Sequence, residues 1–521
     1  MKSSTLRAFQ TVHTWTGVMA GFALFVAFYA GALTMFHDDI ATWQMPPWRS
    51  AADAAISPSA LVDALIRQHP QAQDFGIVLP HTPGQSSYVF WNANGHMRYA
   101  TASQLAAPVD DGRADDLADF VYALHDSLGI PVFGLYFMGV VSMLYGLAIT
   151  SGFIFHLPQL VKDLFALRVG KNLKRLWQDA HTTIGVLSLP FHVMFAITGA
   201  AFCLTSLLLT ALDATAFDGK LMAAFADATR TAPVVEAAHQ PASMLSFDAL
   251  VARARHEALA AGAAGFEPDY AYFSNYGDRN ATVMIRGLSD RTLGSFGHIT
   301  LDGATGRPLM TQAGAQRDAN SLVFSAMYSV HFGNFGGRMV QWLYFLLGLA
   351  GAFLFYSGNL LWIEARRKRR HADQPLKTRV MARATVGICI GSCLAISGAF
   401  AATALASMLG IDAQWPQHVA CFGLFLAACA YACARPVASA TVELLVATGM
   451  LTLIVVLTDL LRNARAWMQP WSPQTASVFG VDGAGMVLGA VFLLLARASW
   501  RRARQGEQTS VWATQPRTSL P

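Results

Sequence analysis

Eight apolar stretches, each of about twenty residues, confine this sequence to folds that live in a lipid bilayer. Four of them lie in the first 370 residues and hold no Asp, Glu, Lys or Arg, at 14–36, 132–155, 182–211 and 339–363. Four more follow at about 384–410, 415–434, 444–461 and 480–496, the last two shorter and bordered by Glu443, Asp459 and Asp482. With 54% of the 521 residues hydrophobic and only 13% charged, water-soluble, disordered and disulfide-stapled classes are excluded. The expected class is a mainly α integral membrane protein.

Lys and Arg alternate in position along the chain. Lys2 and Arg7 precede the first stretch, Lys162, Arg168, Lys171, Lys174 and Arg175 separate the second from the third, Arg366 to Arg370 follow the fourth, and Arg501, Arg502 and Arg504 follow the eighth. Basic loops stay on the cytoplasmic side, so both termini are expected in the cytoplasm and the polar segments 38–130 and 212–330 outside it. The first stretch is too long for a removed signal peptide and is expected to stay as a helix. The excess of 37 basic over 32 acidic residues is too thinly spread to suggest nucleic-acid binding.

The two external segments share a plan. Residues 58–69 and 247–261 have helical periodicity, and each run is followed by alternating strand-like stretches: IVLP and SSYVFWNANGHMRYA in the first segment, AYFSNY, ATVMIRG and FGHITLDGATGRPLM in the second. Each segment is expected to be a small α+β unit, a helix on an antiparallel sheet. Trp91, Tyr270, Tyr272, Phe273 and Tyr276 are the aromatics that either form the core of these sheets or line a cleft. All six cysteines, Cys203, Cys389, Cys393, Cys421, Cys429 and Cys433, fall in apolar stretches and give neither a disulfide framework nor a thiolate metal cluster.

Ionisable residues at membrane depth are costly and usually functional, and here the recurring one is histidine. His13 opens the first stretch, His125 precedes the second, His156 closes it, His181 and His192 lie at or within the third, and His331 precedes the fourth. His37, beside Asp38 and Asp39, is expected to be a solvated end residue. On one continuous helix His181 and His192 stand about 20° beyond three full turns apart, on one face and about 16 Å along the axis. That separation suits two cofactors at different depths. Paired imidazoles from neighbouring helices are suitable axial ligands for b-type haem iron, which predicts two haems. His181 is expected to share the inner one with His13 or His156, and His192 the outer one with His125 or His331. Gly17, Gly21 and Gly185 lie on the histidine faces, where they either clear space for a flat ring or let helices pack closely.

The segments HTWTGVMAGFALFVAFYAGALTMF, LHDSLGIPVFGLYFMG, SGFIFHLPQLVKDLFALRVGKNLKRLWQDAHTTIGVLSLPFHVMFAITGA and VHFGNFGGRMVQWLYFLLGLAGAFLFYSGNLLW resemble the PepSY-associated transmembrane helix family, which includes ferrisiderophore reductases of the bacterial inner membrane. HITLDGATGRPLM looks like the closing strand of a PepSY domain. The resemblance covers about residues 5–370. It implies a four-helix haem b core with two periplasmic PepSY domains that passes electrons outward to ferric iron held by a siderophore, for iron uptake. The family's histidines fall at His13, His125, His156, His181, His192 and His331. The implied organisation is a first helix at 1–37, a PepSY-like segment at 38–130, two helices and a basic loop at 131–211, and a PepSY domain at 212–330. A fourth helix at 331–370, about four added C-terminal transmembrane helices at 371–500 and a tail at 501–521 complete it. The first segment matches PepSY weakly, and the family's minimal member lacks the C-terminal helices.

No Gly-x-Gly-x-x-Gly turn and no iron–sulfur cysteine cluster is present, so the reductant of such an oxidoreductase comes from outside the chain. Two donors fit, a cytosolic flavin reductase docking on the basic loop or a membrane quinol. Topology and anionic lipid contact also account for that loop's charge. Two other classes compete: a transporter of iron or its chelate, and a PepSY-based sensor that holds a protein partner.

Overall fold

The computed structural model describes residues 3–44, 53, 55–80, 86–106, 109–110, 117–159, 173–288, 293–294, 296–368, 374–463, 473–507 and 509–514. Most of the basic loop between the second and third stretches lies outside the described residues. Among the described residues, eight helices are long and apolar enough to cross a membrane, as the sequence led one to expect. The protein is a multi-pass membrane protein, mostly helical, with one small antiparallel sheet.

Numbered in chain order, the first elements are α1 (Ser3–Thr34) and α2 (His37–Gln44), then α3 (Pro58–Gln68), β1 (Phe75–Val78), β2 (Tyr88–Ala93), β3 (His96–Ala100) and β4 (Val109–Asp110). Helices α4 (Leu117–Ser127), α5 (Phe133–His156), α6 (Leu173–Leu187), α7 (Leu189–Ala216) and α8 (Leu221–Ala228) follow. Next come α9 (Phe247–Ala260), β5 (Glu267–Ser274), β6 (Thr282–Leu288), β7 (Phe296–Asp302) and β8 (Pro308–Gln312). The chain continues with α10 (Ala319–Phe332), α11 (Gly337–Ala365), α12 (Leu376–Leu409), α13 (Gln414–Ala434), α14 (Val437–Arg462) and α15 (Pro473–Gln505).

The third apolar stretch is two helices rather than one. Pro190 lacks an N–H and its ring clashes with the carbonyl four residues back, so the helical ladder is interrupted at Ser188 (φ −94°, ψ 14°), between α6 and α7. The angular argument that put His181 and His192 on one face therefore does not carry across the junction.

The two repeated polar segments also combine differently from two separate layers. Each begins with a helix capped by a serine whose side chain accepts a backbone N–H, Ser57 from Ala60 and Ser246 from Ala249. Their strands fuse into one eight-stranded sheet in the order β4-β3-β2-β1-β5-β6-β7-β8. Four-residue β1 would be an open edge of the first repeat. It pairs antiparallel with β5, the edge of the second, in the register Phe75↔Phe273 and Ile77↔Ala271, which satisfies both edges. Phe75 and Phe273 stack across that seam with ring centroids 4.8 Å apart. Together with Trp91 they enter the core beneath α3 and α9, and Tyr276 packs on the same pair. Tyr270 and Tyr272 lie outside this core and meet Phe90 ring to ring.

In the membrane part, α1 packs on α5 and α11, α5 packs on α7, and α6 packs on α11. The added helices α12 to α15 pack on one another, and α15 seats against short α2. The β7 strand is tied to α10 by Ser325, whose hydroxyl meets both the N–H and the carbonyl of Phe296. The sheet thus sits over one end of the α1/α5/α7/α11 bundle.

Candidate functional site

Two histidine pairs stand at opposite ends of this bundle. At the end away from the sheet, His13 on α1 faces His181 on α6, with ring centroids 6.2 Å apart. Near the sheet, His125 on α4 faces His331 on α10, at 6.0 Å. All four rings are held through Nδ1, three of them by a backbone carbonyl. His13 Nδ1 meets the carbonyl of Ala148 at 2.8 Å, and His125 Nδ1 meets that of Ala27 at 2.7 Å. His181 Nδ1 lies 3.1 Å from both the Leu354 carbonyl and the Ser357 hydroxyl, and His331 Nδ1 lies 2.7 Å from the Thr198 hydroxyl. A carbonyl acceptor puts the ring proton on Nδ1 and leaves the Nε2 lone pair outward. In none of the four does Nε2 bond to a described residue.

Glycines opposite the rings make these contacts possible. A Cβ on Gly31 would come 2.5 Å from His125 Nδ1, and one on Gly152 would come 2.7 Å from His13 Nδ1. Of the glycines singled out from the sequence, Gly17 and Gly185 line the cavity beside His13, and a Cβ on Gly17 would meet nothing within 4 Å. Gly21 instead faces Asn359.

Each pair borders a cavity. The one at the far end is about 380 Å³ and is lined by His13, His181, His156 and His192. His156 closes α5 with its ring against Phe155, at 4.9 Å. Asn359, 2% exposed, also lines this cavity, and its Nδ2 finds no acceptor among the described residues. The sheet-side cavity is about 890 Å³. It is bordered by His125 and His331 and by the polar residues His37, Asp119, Asp269, Arg286 and Tyr328. Burial, with His125 adding to it, pushes His331 down to about 3, and burial pushes His125 down as well, so both are neutral imidazoles.

His192 differs from these four. Both of its nitrogens are engaged, Nδ1 by the Tyr145 hydroxyl at 2.5 Å and Nε2 by Ser188 at 2.8 Å. It is not beside His125 or His331; those two face each other. It lies in an aromatic wall centred on Phe28, whose ring meets those of Tyr145, Phe191, His192, Phe195 and Phe355 at 5.1 to 6.4 Å. Phe28 borders the sheet-side cavity, and Tyr145 and Phe355 the far one. One layer of rings therefore divides the two cavities. His37 is engaged at both nitrogens by Asp38 and Asp119.

No cluster of three or more His, Cys, Asp or Glu able to hold a bare ion occurs among the described residues. A bare transition metal needs about four ligands from the protein. A haem brings its own equatorial nitrogens and needs only axial ones, so opposed imidazole pairs with outward Nε2 fit that group. The fixing partners Ala148, Ala27, Ser357 and Thr198 and the glycines Gly31 and Gly152 carry no motif of their own in sequence.

Residues 10–365 match the PepSY-associated TM region. The chain belongs to this family. A relative from Pseudomonas aeruginosa, the uncharacterized protein PA4219, is 25% identical over 309 residues, which is 58% of this chain and 76% of that protein. The match ends at the close of α11, so both histidine pairs and the whole sheet fall within it, and α12 to α15 lie beyond it.

Proposed function

We propose that this member of the PepSY-associated TM region family is a di-haem b electron-transfer protein of the bacterial inner membrane that reduces ferric iron in periplasmic ferrisiderophores, for iron uptake. What carries the reading is the matched state of four imidazoles: each has Nδ1 tied to a carbonyl or hydroxyl and Nε2 unengaged. His13 and His181 would hold one group, His125 and His331 the other. His156 and His192 would line the slot of the first.

A haem, when bound, supplies reversible one-electron Fe(III)/Fe(II) chemistry. The chain's own contribution is placement and insulation. Backbone carbonyls and the Thr198 hydroxyl fix ring orientation, the Phe28 layer keeps water from between the cavities, and the neutral imidazoles avoid burying charge. If the basic loops mark the cytoplasm, the sheet and its polar-rimmed cavity face the periplasm, where a ferric chelate would meet Arg286, Asp119 and Tyr328. Hard-oxygen chelators hold Fe(II) less well than Fe(III), so reduction releases the metal.

The test is the spectrum of purified full-length protein from cells with ample haem. The expected outcome is b-type bands at about two haems per chain. Colourless protein would overturn the proposal.

A further inference from the structure

A third cavity, of about 410 Å³, lies between the histidine-bearing bundle and the added helices. Its wall is almost wholly apolar, with Tyr29, Trp342 and Phe345 on one side and Phe400, Val456 and Leu488 on the other. It shares Asp39 and Arg338 with the sheet-side cavity, so this ion pair, 2.5 Å between Arg338 Nη1 and Asp39 Oδ2, is the partition between them. Its other polar lining residues are Ser397 and Thr452, which bond to each other, Ser477, and Asp482 on α15, the last 3% exposed and at membrane depth.

Asp482 Oδ1 accepts the indole N–H of Trp43 at 3.0 Å. The carboxyl of Asp459, held by Arg462 and Asn463, lies beside that of Asp482. Asp482 Oδ2 has no hydrogen-bond partner among the described residues. A buried carboxylate oxygen without a donor is costly, and a lipid acyl chain has nothing to offer it. The occupant that fits has a hydroxyl for Asp482, a flat ring for the aromatic wall and enough apolar character to arrive through the bilayer.

We propose that this cavity binds the ring of a membrane quinol, the source of the electrons that the reading above requires. Asp482 accepts a hydrogen bond from one ring hydroxyl and takes its proton on oxidation. The balance is one hydroquinone to one quinone, with two electrons ending on two Fe(III) chelates and two protons released. Helices α12, α14 and α15 then have a task, since they supply half of the wall. The proposal deepens the ferric-reductase reading and rests on it for the fate of the electrons.

The full chain in lipid nanodiscs is titrated with a short-tailed ubiquinone, and bound quinone and haem are quantified in the same samples. Two variants bracket the site. Gly480 lines the cavity and a Cβ there would meet nothing within 4 Å, so Gly480→Leu fills the space without crowding the fold. Asp482→Asn keeps the shape and removes the charged acceptor. Saturable binding near one quinone per chain is expected, weakened at least tenfold in both variants, with haem content unchanged. No saturable binding to wild type, or equal binding to both variants as for mere lipid partition, overturns the proposal. Haem without quinone would sink this site alone, whereas quinone without haem would sink the reductase reading and leave the site.

Discussion

Gly152 leaves open the space that the His13 imidazole occupies: Nδ1 lies 2.8 Å from the Ala148 carbonyl, and any Cβ on Gly152 would sit 2.7 Å from that nitrogen. The ring is rigid and its target is backbone, so neither can yield cheaply. Gly152→Ala should therefore turn His13 out of line while α5 still inserts, because alanine is a better helix former than glycine. The expected result is a fall from about two haems per chain to about one by pyridine haemochrome assay, with normal membrane yield. Full haem content would show that His13 needs no such approach.

His192 and His181 should respond differently to the same substitution. His181 leaves Nε2 outward, whereas His192 spends both nitrogens on Tyr145 and Ser188. His181→Ala is expected to lose one haem. His192→Ala should keep both and lose stability instead, by about 1–3 kcal/mol, because the buried Tyr145 hydroxyl loses its acceptor while Ser188 keeps only its bond to the Ile184 carbonyl. Haem quantification beside thermal denaturation separates these outcomes, and loss of a haem from the His192 variant would restore it as a ligand.

That contrast marks how far the sequence could be read. Long apolar runs announce the membrane helices, because spanning hydrocarbon demands length and apolarity from each run on its own. The helix-end histidines were legible for the same reason: an imidazole at that depth is conspicuous. What stayed hidden depends on partners far away in the chain. Pairing of His13 with His181, or His125 with His331, crosses more than 160 residues and is set by how helices pack. The Ser188 break was visible in principle through Pro190, but the apolar run masked it. Fusion of the two repeats at β1 and β5 follows from edge satisfaction, for which neither strand's own residues carry a signature.

His37 should make stability depend on alkaline pH. Burial works against its charge, but the carboxylates of Asp119 at 2.9 Å and Asp38 at 3.3 Å outweigh it and raise it to about 10 from the ordinary 6.5. A value raised on folding stabilises fully below pH 6.5, and that contribution is lost as pH climbs through about 10. The ring is about one-third exposed, so the effect stays below about 1 kcal/mol. The melting-temperature gap between wild type and His37→Ala should narrow toward zero from pH 6.5 to beyond 10. A constant gap would show that the contacts act by packing alone.

Arg286 and Asp269 form the ion pair at the rim of the sheet-side cavity, with Nη2 and Oδ2 2.5 Å apart and the aspartate side chain 4% exposed. Arg286 also lies over the Tyr270 ring, 5.2 Å from its centroid. Removing only the guanidinium takes the charged partner from a buried carboxylate, which costs about 3 kcal/mol, whereas removing both charges together is far milder. Arg286→Ala should therefore lower stability by about that amount, and Asp269→Asn added to it should recover most of the loss in a denaturation series. If the rim also receives an anionic ferric chelate, the double variant, refolded in stability, should still show a several-fold higher KM for ferric reduction with kcat little changed. A KM equal to wild type in that stable double variant would remove Arg286 from substrate contact and leave it a purely structural partner of Asp269.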